Sequence, residues 1–124
     1  MLPAREVTER VIGLAIEVHR LTGPGMLESV YEGCLCHELE QAGIVFQRQV
    51  GIPVTYKGVQ FDEGFRADIL VDWQPVIAIK AVANIVPAHD AQFLTCLRLS
   101  RPRLGLLFKF HARLLRDGLR RSVV

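Results

Sequence analysis

Apolar residues first recur at helical spacing: Val11, Ile12, Ala15, Ile16 and Val18 fall on one face. Thr8 is placed to cap this helix, with Glu9 beside the positive end of its dipole. His19 and Arg20 occupy the last turn, and Gly23-Pro24-Gly25 stops it. A second helix is expected from Leu27 to Gln41, with Leu27, Val30, Tyr31, Leu35 and Leu39 as its buried stripe and Gly43 just past its end. The period then shortens. Phe46 to Tyr56 alternates polar and apolar residues as a strand does, and Pro53 puts that strand at an edge or a bulge. Lys57-Gly58 reads as a turn, and Val59 to Phe61 starts another short strand.

Two Val- and Ile-rich runs follow, Ala67 to Val71 and Val76 to Val82, separated by Asp72-Trp73-Gln74-Pro75. The break has turn chemistry, so a hairpin is predicted over Arg66 to Val82, centred near Trp73 and Gln74. Asn84 to Pro87 is a linker, and Ala88 to Leu99 reads as a third helix that buries Ala91, Leu94, Thr95 and Leu97 to Leu99. Ser100-Arg101-Pro102 breaks it. Arg103 to Phe110 is a further buried strand, Asp117-Gly118 a turn, and Leu119 to Val124 a short edge strand or tail. Four strands before the third helix and one after it make an α/β fold, a mixed β-sheet flanked by helices.

Length and composition fit one domain over residues 1–124, half of it hydrophobic, with a core of its own. No apolar stretch reaches the ~20 residues of a membrane-spanning helix, so no membrane partner is expected. MLPAREVTER carries charge at once, which is unlike a secretory leader. Cys34, Cys36 and Cys96 are odd in number and lack zinc-site spacing, which suits buried free thiols and a cytoplasmic protein. The net charge of +2 is unevenly spread: residues 1–97 carry a net −5 and residues 98–124 a net +7. The basic end could meet phosphates, or be balanced in space by the acidic helices.

Candidate chemistry lies in the predicted hairpin. Asp68 falls opposite the stretch from Ala78 to Lys80, and alternation lets Asp68, Ala78 and Lys80 share one face. Asp68 and Lys80 are the only charges in those two runs, and charges in apolar strands need a partner, a metal or a substrate. The bland reading is a salt bridge between them. Glu28 shares a helical face with Tyr31, where free backbone amides at the helix start would hold its carboxylate. Gln92 sits one turn beyond His89, and His19 suits a capping or half-buried role.

The stretch Gly25-Met26-Leu27-Glu28-Ser29-Val30-Tyr31-Glu32 resembles the signature of the GxxExxY proteins, a bacterial branch of the PD-(D/E)XK nuclease-like superfamily. The resemblance continues through QVGIPVTYKGV, FRADILVD, VIAIKAV, HDAQFLTCLRLS, RLGLLFKF and LRDGLRRSVV, so it covers nearly the whole chain. It implies a restriction-endonuclease-like core with one metal-dependent phosphodiesterase site. Asp68 matches the strand Asp, Lys80 the Lys, Glu28 the first-helix carboxylate and Gln92 the Gln of the helix after the Lys strand. Tyr31 and His89 match further family positions. The implied cofactor is Mg²⁺ or Mn²⁺, held by Asp68, Glu28 and the Ile79 carbonyl, and the implied partner is nucleic acid, with DNA favoured.

Two positions depart from that pattern. Ala78 stands where the family has Glu, and Lys109 where it often has Asn. The missing Glu is normally a direct metal ligand, so metal binding should be weakened. The sequence thus predicts a nuclease-like protein, active through Glu28 and Asp68, disabled by an introduced Ala78, or a silent nuclease fold that binds nucleic acid or a protein. A homodimer is one arrangement open to so short a chain.

Overall fold

The computed structural model describes residues 4–72, 75–81, 87–99 and 104–123. Their order is α1 (Ala4–Thr22), α2 (Glu28–Gln41), β1 (Phe46–Tyr56), β2 (Val59–Val71), β3 (Val76–Lys80), α3 (Pro87–Leu99), β4 (Leu104–Lys109), a 3-10 turn (Leu115–Gly118) and β5 (Leu119–Val123). The strands form one sheet in the order β1-β2-β3-β4-β5. Neighbours are antiparallel except β3 and β4, which run parallel and are connected through α3.

The run Val76-Ile77-Ala78-Ile79 is apolar throughout because β3 is covered on both faces. Ile77 and Ile79 pack into one cluster with Val11 and Ala15 of α1 and Leu35 and Leu39 of α2. Val76 and Ala78 pack into a second with Phe93 and Leu97 of α3. The sheet is therefore a mixed one sandwiched between α1 and α2 on one side and α3 on the other. Gly105 of β4 lets α3 approach, since a Cβ there would lie 2.5 Å from the Phe93 ring.

The inner face of the β1–β2 ribbon changes sides along its length. Phe46, Ile69 and Val71 pack toward α1 and α2, whereas Val50, Ile52 and Ala67 pack toward α3. The change falls at Gln49 and Asp68, a rung missing between Arg48↔Ile69 and Val50↔Ala67, and the register shifts again between Ile52 and Val54. Gln49 has φ of 51°, a left-handed backbone that breaks the alternation of side chains.

Several elements differ from the sequence-based expectation. Helix α1 starts at Ala4 and not at Thr8. Thr8 is buried within it, because packing of Val7 and Val11 draws the helix N-terminally. Leu27 is not in the buried stripe of α2. It precedes the helix with extended backbone and is 74% exposed. Ile16 is also exposed. Val59 to Phe61 and the strand from Arg66 are one continuous β2 of 13 residues, so three strands precede α3. Its polar middle does not break it, since both faces are open to water there. Helix α3 buries Phe93 and Leu97, while Ala91 and Thr95 are exposed. Leu119 onward is a true strand, paired with β4 from Leu104↔Val123 to Phe108↔Leu119. The turn centre at Trp73 and Gln74, Val82, the linker 84–86, the break at 100–102, Val124 and the Cys96 side chain lie outside the described residues.

Candidate active site

The β2–β3 ladder is short, with only Ile69↔Ile77 and Leu70↔Val76 in register. Beyond it the strands part, and the β2-facing amides of β3 need other acceptors. Asp68 supplies the first: its Oδ2 accepts a hydrogen bond from the Ile79 amide at 2.7 Å. Glu28 supplies the second: its Oε1 accepts from the Ala81 amide at 3.0 Å. Amides two residues apart point to one strand edge and are separated by about 7 Å. The fold thus brings Glu28 and Asp68, 40 positions apart in sequence, to one edge of β3.

The residues around Glu28 explain its placement. Gly25 has φ of 108°, which turns the chain into α2. The Tyr31 hydroxyl donates to the Gly23 carbonyl at 2.7 Å and accepts from the Met26 amide at 3.0 Å. Its ring stacks on Phe110 at 4.4 Å. Tyr31 therefore fixes the loop that starts α2, and Glu28 with it, without lining the pocket described below. His19 likewise bonds the Ala112 carbonyl at 2.8 Å and ties α1 to the chain after β4.

On the α3 side, a pocket of about 210 Å³ is lined by Phe65, Arg66, Asp68, Ala78, Lys80, His89, Gln92, Phe93 and Leu107. That is room for about seven waters at ~30 Å³ each. Asp68, Lys80, Ala78, Gln92 and His89 are brought together here. Glu28 and Tyr31 are not among the lining residues. His89 Nδ1 is buried and has no hydrogen-bond partner among the described residues.

Asp68 is the one acid lining this pocket, beside Lys80 and an Arg66 whose guanidinium is paired with Glu63. Lys80 is the register partner of Lys109 in parallel β4, so the two residues lie side by side on one face of the sheet. Lys80 joins none of the four ion pairs among the described residues, so the salt bridge with Asp68 does not form. Burial pushes the Asp68 carboxyl above its usual range, and the Glu32 charge adds to this. The Ile79 amide, Gln49 and Lys80 act in the opposite direction.

Sequence reasoning missed the groups behind Asp68. Glu32 is buried, and Arg48 holds its Oε2 at 2.8 Å. Gln49 Nε2 reaches Glu32 Oε1 at 2.7 Å and Asp68 Oδ1 at 3.4 Å, bridging the two acids. Glu32 lies four residues after Glu28 on the same helical face, which was a readable signal. Arg48 and Gln49 meet it only through the fold. Cys36 is buried and Cys34 half-buried, both with free thiols. Burial pushes the Cys36 thiol up to about 11, which makes it inert.

These residues do not fit a resident divalent ion. Mg²⁺ needs near-octahedral oxygen coordination. Asp68 has one oxygen on Ile79, Glu28 has one on Ala81, and Glu32 is neutralised by Arg48. Ala78 offers no donor, and the Ile79 amide already occupies one Asp68 oxygen. No group of three His, Cys, Asp or Glu among the described residues is arranged to hold an ion. The pocket instead offers an anion the Lys80 ammonium, with Lys109 beside it on the next strand.

Comparison with known proteins agrees with this architecture. A protein-family model described as the PD-(D/E)XK nuclease superfamily matches residues 5–122. No curated protein and no solved structure matches the chain.

Proposed function

The chain belongs to the PD-(D/E)XK nuclease superfamily, and from that premise we propose that it binds a nucleic-acid phosphodiester in the Asp68–Lys80 pocket and lacks efficient hydrolysis. The observation that carries this reading is Ala78. Its methyl group lies in the pocket, 8% exposed, between an acid and a lysine. It leaves the site with too few oxygens for a cation, and with Lys80 and the neighbouring Lys109 for a phosphate.

In this reading Lys80 and Lys109 attract the non-bridging phosphate oxygens, where charge-assisted hydrogen bonds are strongest. Gln92 and the unpartnered His89 Nδ1 orient the group. Asp68 holds the end of β3 in place through Ile79. Within the superfamily we assign the chain to the GxxExxY branch. Support comes from what the motif does physically: Gly25 makes the turn, Glu28 takes an amide of the central strand, and Tyr31 staples the loop.

A second reading keeps activity, because Glu28 and Asp68 meet the same edge of β3 and could release their amides to share an ion. One experiment separates the two. Labelled DNA is titrated with wild type, with and without EDTA, and incubated with Mg²⁺ or Mn²⁺. The binding reading expects EDTA-insensitive affinity, lost in Lys80→Ala, and no cleavage. It also expects Ala78→Glu to gain saturable Mn²⁺ binding by calorimetry. Mg²⁺-dependent cleavage by wild type that Asp68→Ala abolishes would overturn it.

A further inference from the structure

Beyond Ile52 the β1–β2 ribbon leaves the body of the sheet. β3 pairs with β2 only at Ile69 and Leu70, so the distal strands have only each other. In that segment Val54 pairs with Phe61 and Tyr56 with Val59. Directly paired residues share a face, as do residues two apart on one strand. Val54, Tyr56, Val59 and Phe61 therefore form one continuous apolar face. Tyr56, Val59 and Phe61 are 62%, 56% and 53% exposed, and no described element covers them. Thr55 and Gln60 pair on the opposite face, where Gln60 also bonds Asp62. The ribbon tip is thus amphipathic, with its apolar side turned to water.

Beyond the register shift between Ile52 and Val54, the same strand β2 continues to the phosphate pocket. Phe65 and Arg66, further along β2, line that pocket. The four steps from Phe61 to Phe65 span about 13 Å of strand, the length of roughly four stacked nucleotides at ~3.4 Å each. A cation flanks the face at its tip, where the Lys57 ammonium lies 5.5 Å from the Tyr56 ring centroid. The nearby acids do not oppose an anionic partner: Glu63 is bound by Arg66, and Asp62 is on the far face.

Resting on the phosphodiester reading of the pocket, we infer that the Tyr56–Phe61 face is a base-stacking platform, and that the bound nucleic acid is single-stranded. Aromatic and apolar surface beside cations stacks unpaired bases with little regard to sequence. A duplex hides those base faces within its own stack. The ribbon holds the bases while Lys80 and Lys109 hold a phosphate of the same strand.

Anisotropy of a labelled short single strand and its blunt duplex tests this. Wild type should bind the single strand more tightly. Tyr56→Ala and Phe61→Ala should each weaken single-strand binding by about tenfold and leave duplex binding nearly unchanged. Tyr56→Phe should retain wild-type affinity. Both residues are exposed, so circular dichroism should show an intact fold. Lys80→Ala should weaken binding of both probes. If the ribbon variants bind like wild type while Lys80→Ala does not, the platform is wrong and the pocket reading survives. If wild type binds neither probe, both fail. If sedimentation shows a wild-type dimer that Tyr56→Ala dissociates, the face serves self-association and the inference is overturned.

Discussion

Replacing Tyr31 with Phe isolates what one hydroxyl contributes to the start of α2. The ring keeps its stacking on Phe110 at 4.4 Å, so little packing is lost. What goes is one hydrogen bond to Gly23 and one from Met26. Each contributes about 0.5–1.5 kcal/mol net. Both are part-buried, so water recovers some of the loss, and about 1–2 kcal/mol is expected. Over 124 residues at ~2.1 cal/mol/K each, the unfolding entropy is about 260 cal/mol/K. The melting temperature should then fall by about 4–8 °C. Thermal unfolding by circular dichroism, with a urea titration for the free energy, measures both. Tyr31→Ala should cost more, about 3–5 kcal/mol, because the stacked ring is lost as well. A Tyr31→Phe variant within about 0.5 kcal/mol of wild type would show that the loop is held by something other than this hydroxyl.

Gly105→Ala should destabilise the protein by about 1–3 kcal/mol in urea, because its methyl group overlaps the Phe93 and Leu97 side chains; an unchanged midpoint would mean that α3 sits farther from the sheet than described. Asp68→Asn tests the burial of the carboxyl. Asp68 in the folded protein holds its proton to higher pH than in the unfolded chain. Between its usual value and the raised one the folded state binds more protons, so wild-type stability falls as pH rises through that window. The stability of Asp68→Asn relative to wild type should therefore improve from pH 3 to pH 7. A relative loss over that range would contradict the assigned environment.

The parts of the fold legible in the sequence are those where one residue pattern has one physical solution. Val76 to Ile79 is apolar at every position, and a run that short is a strand covered on both faces. Asp68 and Lys80 stood out because charge is costly in such runs, and both line the pocket. Gln92 and His89 were named by the family resemblance, and both also line it. The remainder depended on tertiary context. Thr8 looks like a cap, yet burial of Val7 carries the helix past it. The stretch around Asp62 and Glu63 looks like a break, yet it is strand because the ribbon there stands in water. The Glu32–Gln49–Asp68 chain joins three elements, and no local spacing encodes that meeting.

Pro53 has an implication for the protein's behaviour at high concentration. β1 is the outer strand of the sheet, and a proline there removes a donor that a neighbouring molecule would need to extend the ladder. At the opposite rim, exposed Arg120 on β5 repels a like-charged approach. With both rims blunted, the molecule can display an oily hairpin tip without growing into fibrils.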